Sequence, residues 1–450
     1  MTREYSTEEI ADKDRRFVWH PFTQMQEYMA ADPVIVERGE GIQLIDVNGR
    51  AYYDGVSSLW LNVHGHCVPE INAAITTQLD RIAHSTLLGC ANVPSACLAE
   101  KLVSLTPASL TRVFYSDSGS EAVEIGLKIA YQYWRQQGDD HRRYFVNMTD
   151  AYHGDTVGSV SVGGIDLFHR VYSDLLFPTL SVPYPHPYRF DGTPAECARH
   201  CLDELDRVLA ERHSEIIGLI VEPIVQGAAG MIVMPDGYLK GIENRCREFE
   251  ILLLTDEVAT GWGRTGPLFA CEHEAVKPDI LMTAKGLTGG YLPLAATLTA
   301  DHVFDAFLGD YSEQKTFFHG HSYTGNQLCC AAALASIDLF EKRNLIDSVR
   351  LKSETLAARL QEFANCAQVG DVRGKGFMWG VELVRDKATK LPYGWEERMG
   401  IRVCNRCREL GMILRSLGNV VVFMPPLASS EKEIEEMIGI LHRAIVEVTE

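Results

Sequence analysis

Three stretches of the 450-residue chain, IIGLIVEP (216–223), ILLLTDEV (251–258) and PDILMTAKG (278–286), share a pattern: a short apolar run that stops at a charged residue. Apolar runs without polar alternation mark strands covered on both faces, as in a parallel sheet flanked by helices. RVFYS (112–116) and RYFVNM (143–148) extend the series, and helical stretches lie between, one of them opening at SGSEAVE (118–124). Strands alternating with helices indicate an α/β fold with a mostly parallel sheet. Ligands of such sheets sit beyond the carboxyl ends of the strands. Gly119, Glu222, Asp256 and Lys285 all stand just past strand ends and are the first candidates for a site.

This pattern predicts a large domain over 76–335. The tail, 336–450, differs: FMWGVELV (377–384) and VVVFMPP (420–426) read as strands, and EKEIEEMIGILHRAIVEV (431–448) repeats apolar residues at helical spacing. A smaller α+β domain is expected there. Residues 1–75 contain LIDVNGRAYYDG (44–55), whose Asn48-Gly49 is a hairpin-turn signal, and are expected to pack with the tail.

Length and composition narrow the function classes. At about 150 residues per domain the chain has room for two or three units and a full hydrophobic core. Hydrophobic residues make up 46% and charged residues 23%, which excludes disordered, collagen-like and coiled-coil classes. Lys and Arg number 42 against 61 Asp and Glu, a net charge of −19 that repels nucleic-acid phosphates and anionic lipid. No apolar run approaches the ~20 residues of a membrane helix. The opening MTREYSTEEIADKDRR is charged where a secretory leader is apolar, so a cytoplasmic location is expected, with the twelve cysteines as reduced thiols.

Four residue groups suggest chemistry. Lys285, directly after a buried strand, loses hydration and becomes easier to deprotonate, which suits a nucleophilic amine. Asp256, at another strand end, has the charge to pair with a protonated pyridine nitrogen. Gly119 and Ser120 open a helix, where free backbone N–H groups and the helix dipole favour a phosphate and the Ser120 hydroxyl adds a donor. Ser118 and Glu121 also fit a capping box, which needs no ligand. Tyr152 offers a flat face for an aromatic cofactor. Phosphate cradle, stacking ring, ring-nitrogen carboxylate and amine are the parts that hold pyridoxal 5'-phosphate.

The runs SDSGSEAVEIGLK, YHGDT, EPIVQGAAGM, LLLTDEVATGWGRTG, PDILMTAKGLTGGYLP and FFHGHSYTGNQLCCAAA lie in the order in which similar motifs occur in another group of proteins. Over essentially its whole length the sequence resembles class III, pyridoxal-phosphate-dependent aminotransferases of fold type I. Within the class WHPFTQM (19–25), VSSLWLNVHGH (56–66), GGIDLFHRVYSDLLF (163–177) and ILRSLGNVVVFMPPL (413–427) are similar to the biotin-pathway branch. That branch aminates 8-amino-7-oxononanoate to 7,8-diaminononanoate. The resemblance implies that Lys285 carries the cofactor and shuttles the proton, that Asp256 binds the ring nitrogen, and that Val258 presses on the face opposite Tyr152. It further implies a homodimer in which His321 and Ser322 reach the partner's cofactor phosphate. Trp60, Gly320 and Arg415 match substrate-contacting positions, Arg415 as a clamp for a carboxylate.

Some positions depart from that pattern. Phe22 replaces the tyrosine of the HPYT motif, Leu59 precedes Trp60 in place of a second tryptophan, Ser322 replaces threonine and His321 proline. The first two reshape the donor pocket, so S-adenosylmethionine and lysine both stay open as donors. An ω-amino acid or diamine:pyruvate aminotransferase of the same class shares every cofactor residue and is the alternative. GWGRTG (261–266) fits GxGxxG, but it follows DEVAT rather than a strand, no amphipathic helix opens after it, and the next acids, Glu272 and Glu274, come far too soon for a ribose contact about twenty residues on. It is read instead as a turn placing Arg264 near the substrate. The HGH triplets and the Cys404/Cys407 pair lack the companions of a metal site, so no metal is expected.

Overall fold

Strands in which every residue is buried have no polar face to show the solvent, and Ile216–Val221, Leu252–Asp256, Ile280–Thr283 and Ala295–Ala300 are of this kind. A computed structural model describes residues 6–450; residues 1–5, part of the charged opening segment, lie outside the described residues. The four strands belong to a seven-stranded sheet ordered Leu110–Ser116, Ala295–Ala300, Ile280–Thr283, Leu252–Asp256, Ile216–Val221, Tyr144–Met148, Leu180–Val182. Ala295–Ala300 runs antiparallel to both neighbours and the other six strands run one way. The period of two along a strand sorts the core: Leu252, Leu254, Ile280 and Met282 join the cluster under the helix Gly119–Gln136, whereas Leu253 and Leu281 point to the opposite face, with Leu239 and Ile242 of Tyr238–Glu248. Layers on both faces of a sheet are the α/β architecture, and they leave the strand ends as the place where polar groups can gather.

The tail builds an antiparallel sheet from Val369–Lys375, Met378–Asp386, Val420–Phe423 and Arg415–Leu417. The helix Glu431–Thr449 covers it, opened by a capping box between Ser430 and Glu433, with Ile434, Ile438, Leu441 and Ile445 on its buried face. Near the N-terminus, Gln43–Asp46 and Ala51–Asp54 form a hairpin around Gly49, which adopts φ +80°. Its sheet is completed by Met412–Ile413 from the tail, parallel to Tyr53–Asp54. Among the described residues no helix is long and apolar enough to cross a membrane, and the twelve cysteines are unpaired.

His64 lies in the seam between the N-terminal segment and the helix Gln327–Lys342, its Nε2 3.2 Å from Ser336 Oγ and its ring edge on Phe340. Burial, aided by the Arg343 charge, pushes its imidazole down to about 4. The neutral ring is therefore the folded form. Its stabilising contribution is complete above the ordinary histidine value near 6.5 and is lost as pH falls through about 4. Between pH 6.5 and 4, His64→Gln is expected to lose less stability than the parent chain, by on the order of 3 kcal/mol, as measured by urea unfolding at each pH.

Candidate active site

At the carboxyl edge of the large sheet lies a cavity of about 710 Å³, within the range of small-molecule sites. Lys285 follows the strand Ile280–Thr283 by two residues and adopts φ +46°, a left-handed conformation that a non-glycine residue keeps only where its surroundings enforce it. That turn brings its side chain to the cavity wall, with Nζ 5.1 Å from the centroid of the Trp60 ring. Burial lowers the ammonium from its ordinary range, and the charges of Asp256 and Glu222 oppose the shift.

Asp256 closes the strand Leu252–Asp256 and is 4% exposed. Its Oδ1 accepts the Val258 N–H at 3.0 Å, and its Oδ2 lies 2.7 Å from Nδ1 of the fully buried His153. An ionised carboxylate can only accept, so His153 Nδ1 carries the proton. Beside them Glu222 accepts N–H groups from Tyr152 at 3.1 Å and Gly227 at 3.0 Å. Burial pushes its carboxyl up to about 7, against the pull of the His153 charge and helped by Asp256.

The opposite wall is a helix start. Glu121 takes the N–H groups of Asp117 and Ser118, and the Ser118 hydroxyl takes that of Glu121. The N–H groups of Gly119 and Ser120, between them on the cavity wall, have no acceptor among the described residues. Position 119 must be glycine, because a Cβ there would lie 2.5 Å from Val258 Cγ1. The Ser120 hydroxyl is engaged already: it pairs with Thr156 Oγ1 at 2.8 Å and accepts the Thr156 N–H at 3.0 Å. Tyr152 lines the cavity and donates its hydroxyl to Asp155 Oδ2 at 2.7 Å. Phe22 and Phe168 pack edge to face at 5.4 Å, and the Arg415 guanidinium lies 5.5 Å from the Phe22 centroid.

Four expected residues are not on this wall. Arg264 requires a correction: it is 1% exposed, and its guanidinium donates to the backbone oxygens of Asn62 at 2.6 Å and Pro425 at 2.8 Å. The left-handed turn at Trp262 and Gly263 aims it into the seam with the tail rather than at substrate. Gly320, His321 and Ser322 lie beside the cavity. His321 Nδ1 is 3.7 Å from Asp117 Oδ2, and the Ser322 carbonyl accepts from His84 Nε2.

With this geometry in hand, the aminotransferase class-III family model matches residues 25–445. The chain belongs to the class III aminotransferases. A relative from Anoxybacillus flavithermus named adenosylmethionine-8-amino-7-oxononanoate aminotransferase is 56% identical over 443 residues, 98% of this chain and 97% of its own. The crystal structure of the enzyme of that name from Methanocaldococcus jannaschii superposes with a TM-score of 0.94 at 47% identity, covering 98% of this chain and 99% of that one. The ω-transaminase of Pseudomonas jessenii, solved in complex with PMP, also reaches 0.94, at 32% identity and 98% coverage of both chains.

As a class III aminotransferase the chain is a fold type I, pyridoxal-phosphate-dependent transaminase. The residues present fit that cofactor: unpaired N–H groups at a helix start suit a phosphate, a buried carboxylate suits a ring nitrogen, and a desolvated amine suits an aldehyde. One residue of this aminotransferase's site, and the role of another, were not legible in the sequence. His153 stands next to Tyr152 in YHGDT, and its contact with Asp256 spans 103 residues, so only its place in the motif hinted at it. Glu222 was legible as a strand-end acid, but nothing local shows that it fastens the backbone of Tyr152.

Proposed function

We propose that this aminotransferase converts 8-amino-7-oxononanoate to 7,8-diaminononanoate, the biotin-pathway step, with S-adenosylmethionine or lysine as amino donor. Full-length identity to relatives bearing that name supports the reading. At the site the supporting observation is Arg415: it lines the cavity and has no carboxylate partner among the described residues. A planar guanidinium left free in this way binds a carboxylate in bidentate fashion, and the keto acid presents one at the far end of an aliphatic chain.

When bound, pyridoxal phosphate supplies an aldehyde that exchanges amines and a ring that takes up negative charge. The chain's own residues do the rest. Gly119 and Ser120 anchor the phosphate, while Tyr152 and Val258 bracket the ring. Asp256, held by Val258 and His153, keeps a proton on the ring nitrogen. Lys285 Nζ, made easier to deprotonate by burial, takes the proton from the substrate carbon and returns it, as base and then acid. Donor and acceptor use one cavity in turn, hence ping-pong kinetics. The reading includes a homodimer in which His321 and Ser322 reach the partner's cofactor phosphate, with Gly320 beside them at a substrate-contacting position. Phe318 and Tyr323, flanking that loop, are 80% and 58% exposed, which suits a subunit contact. A cytoplasmic location and a division into 1–75, 76–335 and 336–450 belong to the same proposal.

The chain is expected to restore growth of a biotin auxotroph blocked at diaminononanoate formation, and the purified enzyme assayed with S-adenosylmethionine and lysine in parallel identifies the donor. No growth, together with rapid turnover of β-alanine or putrescine against pyruvate, would falsify the biotin reading in favour of an ω-amino acid aminotransferase. Arg415→Ala is expected to raise the acceptor KM roughly 10- to 100-fold with a smaller effect on kcat, since removing a hydrogen-bonded charge costs about 1.5–3 kcal/mol of binding.

A further inference from the structure

Lys352, on the tail helix Leu345–Gln361, is 8% exposed and has no carboxylate within ion-pair distance among the described residues. Its Nζ donates to the backbone oxygens of Leu427 at 2.7 Å and Ser429 at 2.8 Å, and it stands 5.5 Å from the Phe377 ring. Arg264 binds the same loop from the large domain through the Pro425 carbonyl, and reaches Asn62 with its other nitrogen. Two buried cations thus grip alternate carbonyls, those of Pro425, Leu427 and Ser429. Burial pushes the Lys352 ammonium down to about 8 against the opposing charges of Glu431 and Glu433, and a buried cation without an ion pair needs such carbonyl oxygens as hydrogen-bond partners.

The loop they grip is bonded to the segment that carries Trp60. Met424 N–H donates to the Gly55 carbonyl at 2.9 Å, Ala428 N–H to that of Val63 at 3.0 Å, and the Ser57 hydroxyl to the Met424 carbonyl at 2.7 Å. Between those ties Ser57, Ser58 and Trp60 adopt φ of +52°, +61° and +66°. Left-handed residues in such a cluster persist only where the surroundings over-determine them. Asp54 supplies part of that constraint, accepting the Ser58 N–H and hydroxyl. Further ties run from Gly55 N–H to the Ile413 carbonyl at 3.1 Å and from Val63 N–H to the Gly289 carbonyl at 3.4 Å, but those that flank the left-handed turn on its tail side run to the gripped loop and to Arg264.

We infer that Lys352 is a positioning residue for the substrate cavity: its carbonyl grip on residues 427–429 holds the strained 55–63 segment, and with it the Trp60 wall beside Lys285. The inference rests on reading the cavity as the substrate site, but not on which substrate is used. Lys352→Met keeps the stem and loses the donors, and Lys352→Arg keeps donors. In the holoenzyme, Lys352→Met is expected to speed amide exchange across 55–63 at least about tenfold while leaving Leu252–Asp256 unchanged. The KM for whichever amine the chain turns over is expected to rise about tenfold. The cofactor Kd should stay within about twofold, because Lys352 bonds to Leu427 and Ser429 and not to Gly119 or Ser120. Lys352→Arg should recover most of the protection. Unchanged exchange across 55–63 overturns the inference, and so does an equal rise in the central sheet, which marks a general loss of stability. Should Lys352→Met fail to fold, Ser57→Ala cuts the same chain of contacts at its other end and must loosen 55–63 alike, or the inference fails. A chain that loses the biotin assignment by complementation yet shows this exchange pattern keeps the inference.

Discussion

Lys285→Ala is expected to lower turnover at least about 10⁴-fold, since on the proposed reading it removes both the amine that attaches the cofactor and the base that moves the substrate proton, and general acid–base catalysis alone is worth about 10²–10⁴. The position explains why no neighbour substitutes for it. The acids whose charges act on it are Asp256 and Glu222, the first committed to Val258 and His153 and the second to the backbone of Tyr152 and Gly227. The variant should remain folded, because the methylenes it loses face a cavity rather than a packed core. Circular dichroism and single-turnover measurements check both statements. Turnover within tenfold of the parent enzyme would remove Lys285 from the reaction, and reductive trapping with peptide mapping would then have to place the cofactor attachment elsewhere.

Asp256→Asn is the second large effect. The substitution keeps the shape of the side chain and removes the charge. The Asn oxygen can still accept the Val258 N–H. Its NH₂ then faces His153 Nδ1, which must shift its proton to Nε2 to accept. On the proposed reading the buried carboxylate keeps the ring nitrogen protonated so that the ring can take up the negative charge that develops, and removing one preorganised electrostatic group in a medium of low polarity costs about 10²–10³ in rate. Since a full charge is lost here, the rate of the proton-transfer step is expected to fall about 10³-fold or more, with substrate KM much less affected. Equal rates in the two proteins would show that ring protonation is not governed from this position.

The parallel core was legible because its strands are buried on both faces, and such strands read as apolar runs wherever they lie in a sequence. The strand Ala295–Ala300 was not: AATLTA carries small residues and threonines, and its place between Leu110–Ser116 and Ile280–Thr283 is a matter of pairing between distant segments. Likewise the N-terminal hairpin announced itself through Asn48-Gly49, but its completion by Met412–Ile413 is a tertiary event.

A similar division runs through the site. Lys285, Asp256, Tyr152, Gly119 and Ser120 each follow a strand or open a helix, and the common edge of a parallel sheet gathers such positions into one cavity. The amino-acid order alone therefore settled that a mostly parallel sheet forms, the side of it that carries polar chemistry, and the kind of groups found there. Which way a side chain turns once the chain leaves a strand was decided by packing. Arg264 points into the domain seam because left-handed backbone at Trp262 and Gly263 sends it there, and His153 meets Asp256 because two loops from different strands cross the same strand ends. Local pattern encodes where backbone goes and which faces are apolar; contacts between segments far apart in the chain depend on shape complementarity, which exists only once the chain has folded.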